Sequence, residues 1–171
     1  DRLNLALREY EEKHRYAIPP YPTSLDFAQH LSNAVPDSLA YLMKDLFETI
    51  TIYDHKINKV TYVKNQREQY EVSIDLLLSK HRSDGNGKRS YSDNNQDSLN
   101  FQDIQSLPLA DYLQLGIYDE SGKVIKIIDF KATEISELLK IELEVIPHKI
   151  LLDPKMLLFD IDLEDNKWEK I

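Results

Sequence analysis

Five histidines and a short acidic run near the C-terminus are the residues of this chain best equipped for chemistry. Zinc catalysis needs two imidazoles and a carboxylate converging on one ion, usually with two histidines four apart on a helix. His14, His30, His55, His81 and His148 stand far apart, and none makes that pair. His14 and His30 fall near the ends of two different predicted helices and could meet around a metal. The competing reading makes them ordinary surface or capping histidines. Asp160, Asp162, Glu164, Asp165 and Asn166 offer hard oxygen ligands of the kind calcium takes. In a strand, Asp160, Asp162 and Glu164 would share one face and alternate with Ile161 and Leu163. The bland alternative is therefore an edge strand with a solvated acidic side. Asp84, Asn86 and Gly87 partly mimic a calcium loop, but Lys88 falls where another acceptor is wanted, which favours a turn.

Other chemistries find less support. The chain has no Cys, which excludes disulfides, thiolate metal sites and thiol nucleophiles. No Gly-x-Ser-x-Gly elbow singles out a serine, and no carboxylate pair stands apart from the many acidic residues. Ten Tyr, five Phe and one Trp could build a carbohydrate platform, but most fall at inward strand positions or on helix stripes, which favours core packing. No catalytic residue emerges, and no binding residue is defined.

The elements that would position these groups divide in two. Leu3, Leu7, Tyr10 and His14 form one stripe of an amphipathic first helix, stopped by Pro19-Pro20-Tyr21-Pro22. Thr23-Ser24-Leu25-Asp26 opens a second helix with a capping-box-like start, and Leu25, Ala28 and Leu31 line one side until about Asn33. Pro36 and Asp37 start a third, with Leu39, Leu42, Met43, Leu46, Phe47 and Ile50 as its apolar stripe. From Glu48 the vocabulary turns β-branched and aromatic. Asp54-His55 reads as a turn into a first full strand, Ile57 to Val63.

Tyr70 to Ser79 alternates as a half-buried strand, pairing with the first across Asn65 to Glu68. Residues 80–106 read as a polar surface insertion, with a brief helical turn around Leu99 to Ile104. Tyr112 to Tyr118 and Val124 to Phe130 form a second hairpin around Asp119-Glu120-Ser121-Gly122. Leu138 to Ile146 places Leu139, Ile141, Leu143 and Val145 inward; a helix competes there, and the neighbouring strands decide for β. Ile150 to Leu152 is a short extended piece, and a last strand follows the Asp153-Pro154 turn near Leu157 to Leu163. The fold class that results is mainly β with an N-terminal helical segment. Three short helices over residues 1–50 precede an immunoglobulin-like antiparallel sandwich of about seven strands over residues 51–171.

The chain has 171 residues and a net charge of -9, from 21 Lys and Arg against 30 Asp and Glu. That balance argues against a nucleic-acid face. No apolar run approaches the roughly 20 residues of a membrane helix, so no direct membrane insertion is expected. A start on Asp1 with a helix already under way reads as a fragment of a longer protein.

In this order the pieces resemble the end of an aminopeptidase N-like zinc metallopeptidase of the gluzincin group. That family closes its catalytic domain with helices whose patterns match Leu7 and Tyr10, then Thr23 or Ser24 with Asp26, Phe27 and Leu31, then Asp37 to Phe47 leading into a β-sandwich. The wording is most similar to a bacterial subgroup fused behind an ABC-transporter permease-like membrane part. Pro20 to Ser24, Pro36 to Leu39, Asp45 to Asp54, Pro108-Leu109, Asp111-Tyr112, Gly116-Ile117, Asp153-Pro154 and Asp160 carry that likeness. Arg89 to Ser106 is longer than the family's segment. The His-Glu-x-x-His signature, its downstream Glu and the Gly-x-Met-Glu-Asn loop are absent. The resemblance thus implies a non-catalytic C-terminal fragment, without cofactor, of a parent that carries zinc. It implies the upstream catalytic domain as partner and a place at the cell membrane, extracytoplasmic, through the parent. A free-standing binding module for a glycan or protein is the competing expectation.

Overall fold

Alternation from Glu71 to Lys80 turns Val72, Ile74, Leu76 and Leu78 to the interior, each with no exposed surface, while Glu71, Ser73 and Asp75 face outward. Around that strand the rest of a β-sandwich is arranged. The structure is a computed structural model and describes residues 2–87, 89–90 and 109–170. The chain divides into two compact units, Asp1–Ile50 and Thr51–Ile171. No helix among the described residues is long and apolar enough to cross a membrane.

The second unit contains β1 (Ile50–Lys64, its first residue closing the helical unit), β2 (Tyr70–Ser83), β3 (Arg89–Ser90), β4 (Tyr112–Tyr118), β5 (Val124–Lys131), β6 (Ser136–Leu143), β7 (Lys149–Leu152) and β8 (Lys167–Glu169). In one sheet β2 is flanked by β1, by β6 along Tyr70 to Leu77, and by the two-residue β3. The other sheet runs in the order β5-β4-β7-β8. The chain crosses between sheets after the β2–β3 hairpin, returns for β6, and crosses again for β7 and β8. This is an immunoglobulin-like, mainly-β sandwich. Side chains of β2, β4, β6 and β7 interdigitate to form its core, including Leu115, Ile117 and Ile150 at zero exposure.

The strands differ from the sequence expectation in four places. Asp54-His55 is not a turn: β1 runs unbroken from Ile50 to Lys64, with Thr51, Tyr53 and His55 inward. The β-branched run outweighs the turn-forming Asp, and the β1–β2 pairing continues through Ser79 Oγ donating to the Asp54 carbonyl at 3.1 Å. Lys80 and His81 do not belong to a surface insertion; they are buried members of β2. The helical turn expected at Leu99 to Ile104 lies outside the described residues. β6 ends at Leu143, and Val145 is exposed rather than inward, as the chain bends ahead of Pro147. The last strand is Lys167–Glu169, not Leu157 to Leu163, which forms an irregular loop with one bridge from Asp160 to Tyr53. There the Asp153, Asp160 and Asp162 carboxylates accept N–H groups that a strand ladder would have used.

The first unit contains α1 (Arg2–His14), α2 (Ser24–Ala34) and the single-turn α3 (Ala40–Met43). A 3-10 turn over Asp37–Leu39 leads into α3, and a π turn over Lys44–Glu48 follows it. The third helix is therefore shorter than its stripe suggests, and Ile50 already belongs to β1. Thr49 closes the π turn by donating both its N–H (3.0 Å) and its hydroxyl (2.9 Å) to the Lys44 carbonyl. The predicted stripes hold only in part: Ala6, Leu31 and Met43 are buried, whereas Leu3, Leu7 and Leu25 are exposed. Small Ala6 is the contact residue because α2 approaches closely, bringing His30 Nε2 within 2.8 Å of the Ala6 carbonyl.

Candidate functional site

The densest polar chemistry in the sandwich is a buried group on β1, β2 and the lead into β4. Lys80 Nζ lies 3.1 Å from Asp111 Oδ2 and 3.4 Å from Oδ1, and both side chains are 2% exposed. The Tyr53 hydroxyl donates to Asp111 Oδ1 at 3.2 Å. Lys80 Nζ also stands 5.8 Å from the centre of the Tyr53 ring, within cation–π range. Lys80 projects from one sheet and Asp111 precedes a strand of the other, so the ion pair joins the two layers. The backbone N–H of Ala132 fixes Asp111 by donating to its carbonyl at 2.8 Å.

His55 borders this group, its ring 5.3 Å from that of Tyr53. Its backbone N–H donates to Asp160 Oδ2 at 3.0 Å, and its Nδ1 accepts from the Ser79 N–H at 3.2 Å. The proton of the neutral ring is therefore on Nε2, which has no hydrogen-bond partner among the described residues. Burial pushes the His55 pKa down, against the opposing pull of Asp160 and Asp111. Burial also lowers that of His81, helped by the charge of Arg89. With Nδ1 engaged by a backbone amide, His55 is not poised as a base toward a nucleophile.

The calcium candidates Asp160, Asp162 and Glu164 do not share a strand face. Asp160 Oδ1 accepts from the Asp162 N–H at 3.0 Å, Asp162 Oδ1 accepts from the Glu164 N–H at 2.9 Å, and Glu164 is paired with Lys167. Nearby Asp165 is held above the usual carboxylate range by burial first, then by Asp162, Asp160 and Asp54. Among the described residues no three or more His, Cys, Asp or Glu side chains are grouped to hold a metal. His14 and His30 each pack against the Tyr10 ring, at 4.5 and 5.4 Å, and His30 Nε2 is engaged with the Ala6 carbonyl. Asp84 forms a turn, its carboxylate accepting from the Asn86 N–H at 2.9 Å.

Sequence reasoning missed Lys80, Asp111 and the inward setting of His55. A signal for Lys80 was present: it continues the every-second-residue series of Val72, Ile74, Leu76 and Leu78. Nothing in the sequence pairs Lys80 with Asp111, because a polar segment of thirty residues separates them. Searched against models of known protein families the chain finds no match, and no curated protein matches it.

Proposed function

We propose that this chain is the non-catalytic C-terminal part of a membrane-linked protein of the zinc-aminopeptidase type. In this reading the helical unit docks on an upstream catalytic domain and the sandwich buttresses it. The observation that supports it is the surface of the helical unit. Leu3, Leu5, Leu25 and Leu46 are 54%, 57%, 79% and 63% exposed, while the buried apolar centre among the described residues is Ala6, Leu31 and Met43, with Phe27, Ala28, Ala34 and Val35 packed on it. Short helices with so small a centre gain stability from a covering surface. The resemblance of Thr23 to Leu31 and Asp37 to Phe47 to peptidase closing helices supplies the identity of that cover. Zinc, and the bound water that cleaves N-terminal residues, belong to the upstream domain.

The coding sequence upstream of Asp1 tests this. His-Glu-x-x-His with a downstream Glu is expected there, and an unrelated domain would overturn the reading. The purified chain is expected to release nothing from aminoacyl-p-nitroanilides and to hold no stoichiometric zinc; turnover with bound zinc would equally sink it. A second reading, a module that binds a protein partner, draws on the β7–β8 loop. Leu157, Phe159, Ile161 and Leu163 are 73%, 77%, 46% and 50% exposed on a backbone pinned to Tyr53.

A further inference from the structure

Lys80 and Asp111 are held together more firmly than a passing ion pair requires. Lys80 is fixed within the β2 ladder, and Asp111 by the Ala132 N–H and the Tyr53 hydroxyl. Nζ and Oδ2 are 3.1 Å apart, and both side chains are 98% removed from solvent. Such positioning converts an encounter between two groups into a unimolecular step. We propose that Lys80 Nζ and Asp111 Cγ become joined by an amide bond, an intramolecular cross-link between the two sheets formed by the folded protein itself.

The step needs no oxidant and no second reactant. A proton passes from the ammonium to Oδ2, leaving a neutral amine beside a carboxylic acid. A desolvated lysine amine is a competent nucleophile, and Nζ attacks Cγ. The Tyr53 hydroxyl, already donating to Oδ1, stabilises the negative charge that develops on that oxygen. The Cγ–Oδ2 bond then breaks, and Oδ2 leaves as water. Of the three ammonium protons, one stays on the amide nitrogen and two depart with Oδ2. Exclusion of bulk water from the site opposes the reverse hydrolysis.

Mass spectrometry of the purified full chain tests the proposal. The intact mass is expected to fall short of the sequence mass by one water. Trypsin is expected to release a branched peptide that carries the Lys80 and Asp111 segments on one amide. A full sequence mass, with the two segments on separate peptides, overturns it. Loss of water without the branched peptide marks a succinimide at an aspartate and overturns it too. Lys80→Arg keeps the charge but removes the nucleophilic amine, and is expected to restore the full mass. Tyr53→Phe is expected to leave a mixture of linked and unlinked chains, whereas complete linkage in it refutes the part given to the hydroxyl. Should either variant fail to fold, the peptide map of the unaltered chain still decides.

Discussion

The sandwich and the helical unit divide the apolar residues of this chain unequally. In the sandwich, Ile74, Leu76, Leu78, Leu115, Ile117 and Ile150 lose all their surface, and they come from strands of both sheets. In the helical unit the buried apolar side chains are Ala6, Leu31 and Met43, with partly buried Phe27 packed edge-on to Tyr10 at 5.0 Å and to Phe47 at 6.3 Å. Ladder hydrogen bonds and interdigitated side chains make the sandwich stable by its own contacts. The helices hold their shape through local capping and one small contact, and leave leucines in water. The difference separates a unit with a large buried interior from one whose short helices share a small one.

Truncating one core side chain in each unit would break that comparison most directly. Ile74→Ala is expected to cost the sandwich about 2–5 kcal/mol, because it opens a cavity in a closely packed interior. Leu31→Ala is expected to cost only about 1 kcal/mol, near the average for a point mutation. Urea unfolding followed by the Trp168 fluorescence reads the first. Amide exchange over residues 24–34 reads the second. Equal costs at the two sites would mean that the helical unit is as self-sufficient as the sandwich.

Acidification sharpens the contrast from the side of the sandwich. Burial holds His55 below its ordinary value, so the unfolded chain binds a proton that the native chain refuses. Its full contribution is present above about pH 6.5, the unfolded value, and stability declines as pH falls below it. One unit lower, the loss from this residue is at most about 1.4 kcal/mol. The urea midpoint is expected to drop between about pH 7.5 and 5.5, and the drop should shrink in His55→Gln. A midpoint indifferent to pH over that interval would show that the ring reaches solvent in the native state.

Much of this division could be read from the residues, because it rests on period and punctuation. The alternation of Leu113, Leu115 and Ile117 and the capping pattern at Thr23 each depend on neighbours a few positions away. The buried polar group depends on contacts between distant segments. Tyr53 reaches Asp111 across 58 positions, and His55 reaches Asp160 across 105. No local pattern records such a meeting. At Asp160 and Asp162 the reason is local instead: their strand-like spacing is overridden because each carboxylate accepts the N–H two residues on. On α1 the expected stripe holds at Tyr10 and His14, which are half-buried, but not at Leu3 and Leu7, whose place is taken by Ala6. Which of Leu3, Leu7 or Ala6 turns inward is decided by how near α2 comes, and that distance is not written in α1 alone.

An effect as small as that of Leu31→Ala is expected at the start of α2, and it tests whether the helical unit responds by itself. The Thr23 N–H donates to Asp26 Oδ2 at 2.7 Å, and the Asp26 N–H points to Thr23 Oγ1 at 3.4 Å, a reciprocal cap. The backbone bond from Thr23, and then its hydroxyl, hold the Asp26 carboxyl below the usual range. Thr23→Ala removes the hydroxyl and is expected to destabilise α2 by about 1 kcal/mol. Because few side chains carry that helix into a shared core, the loss should remain local. Amide exchange is expected to quicken across residues 24–34 while the β2 and β4 amides keep their protection. Faster exchange in those strands as well would join the two units into one cooperative body and end the distinction between them.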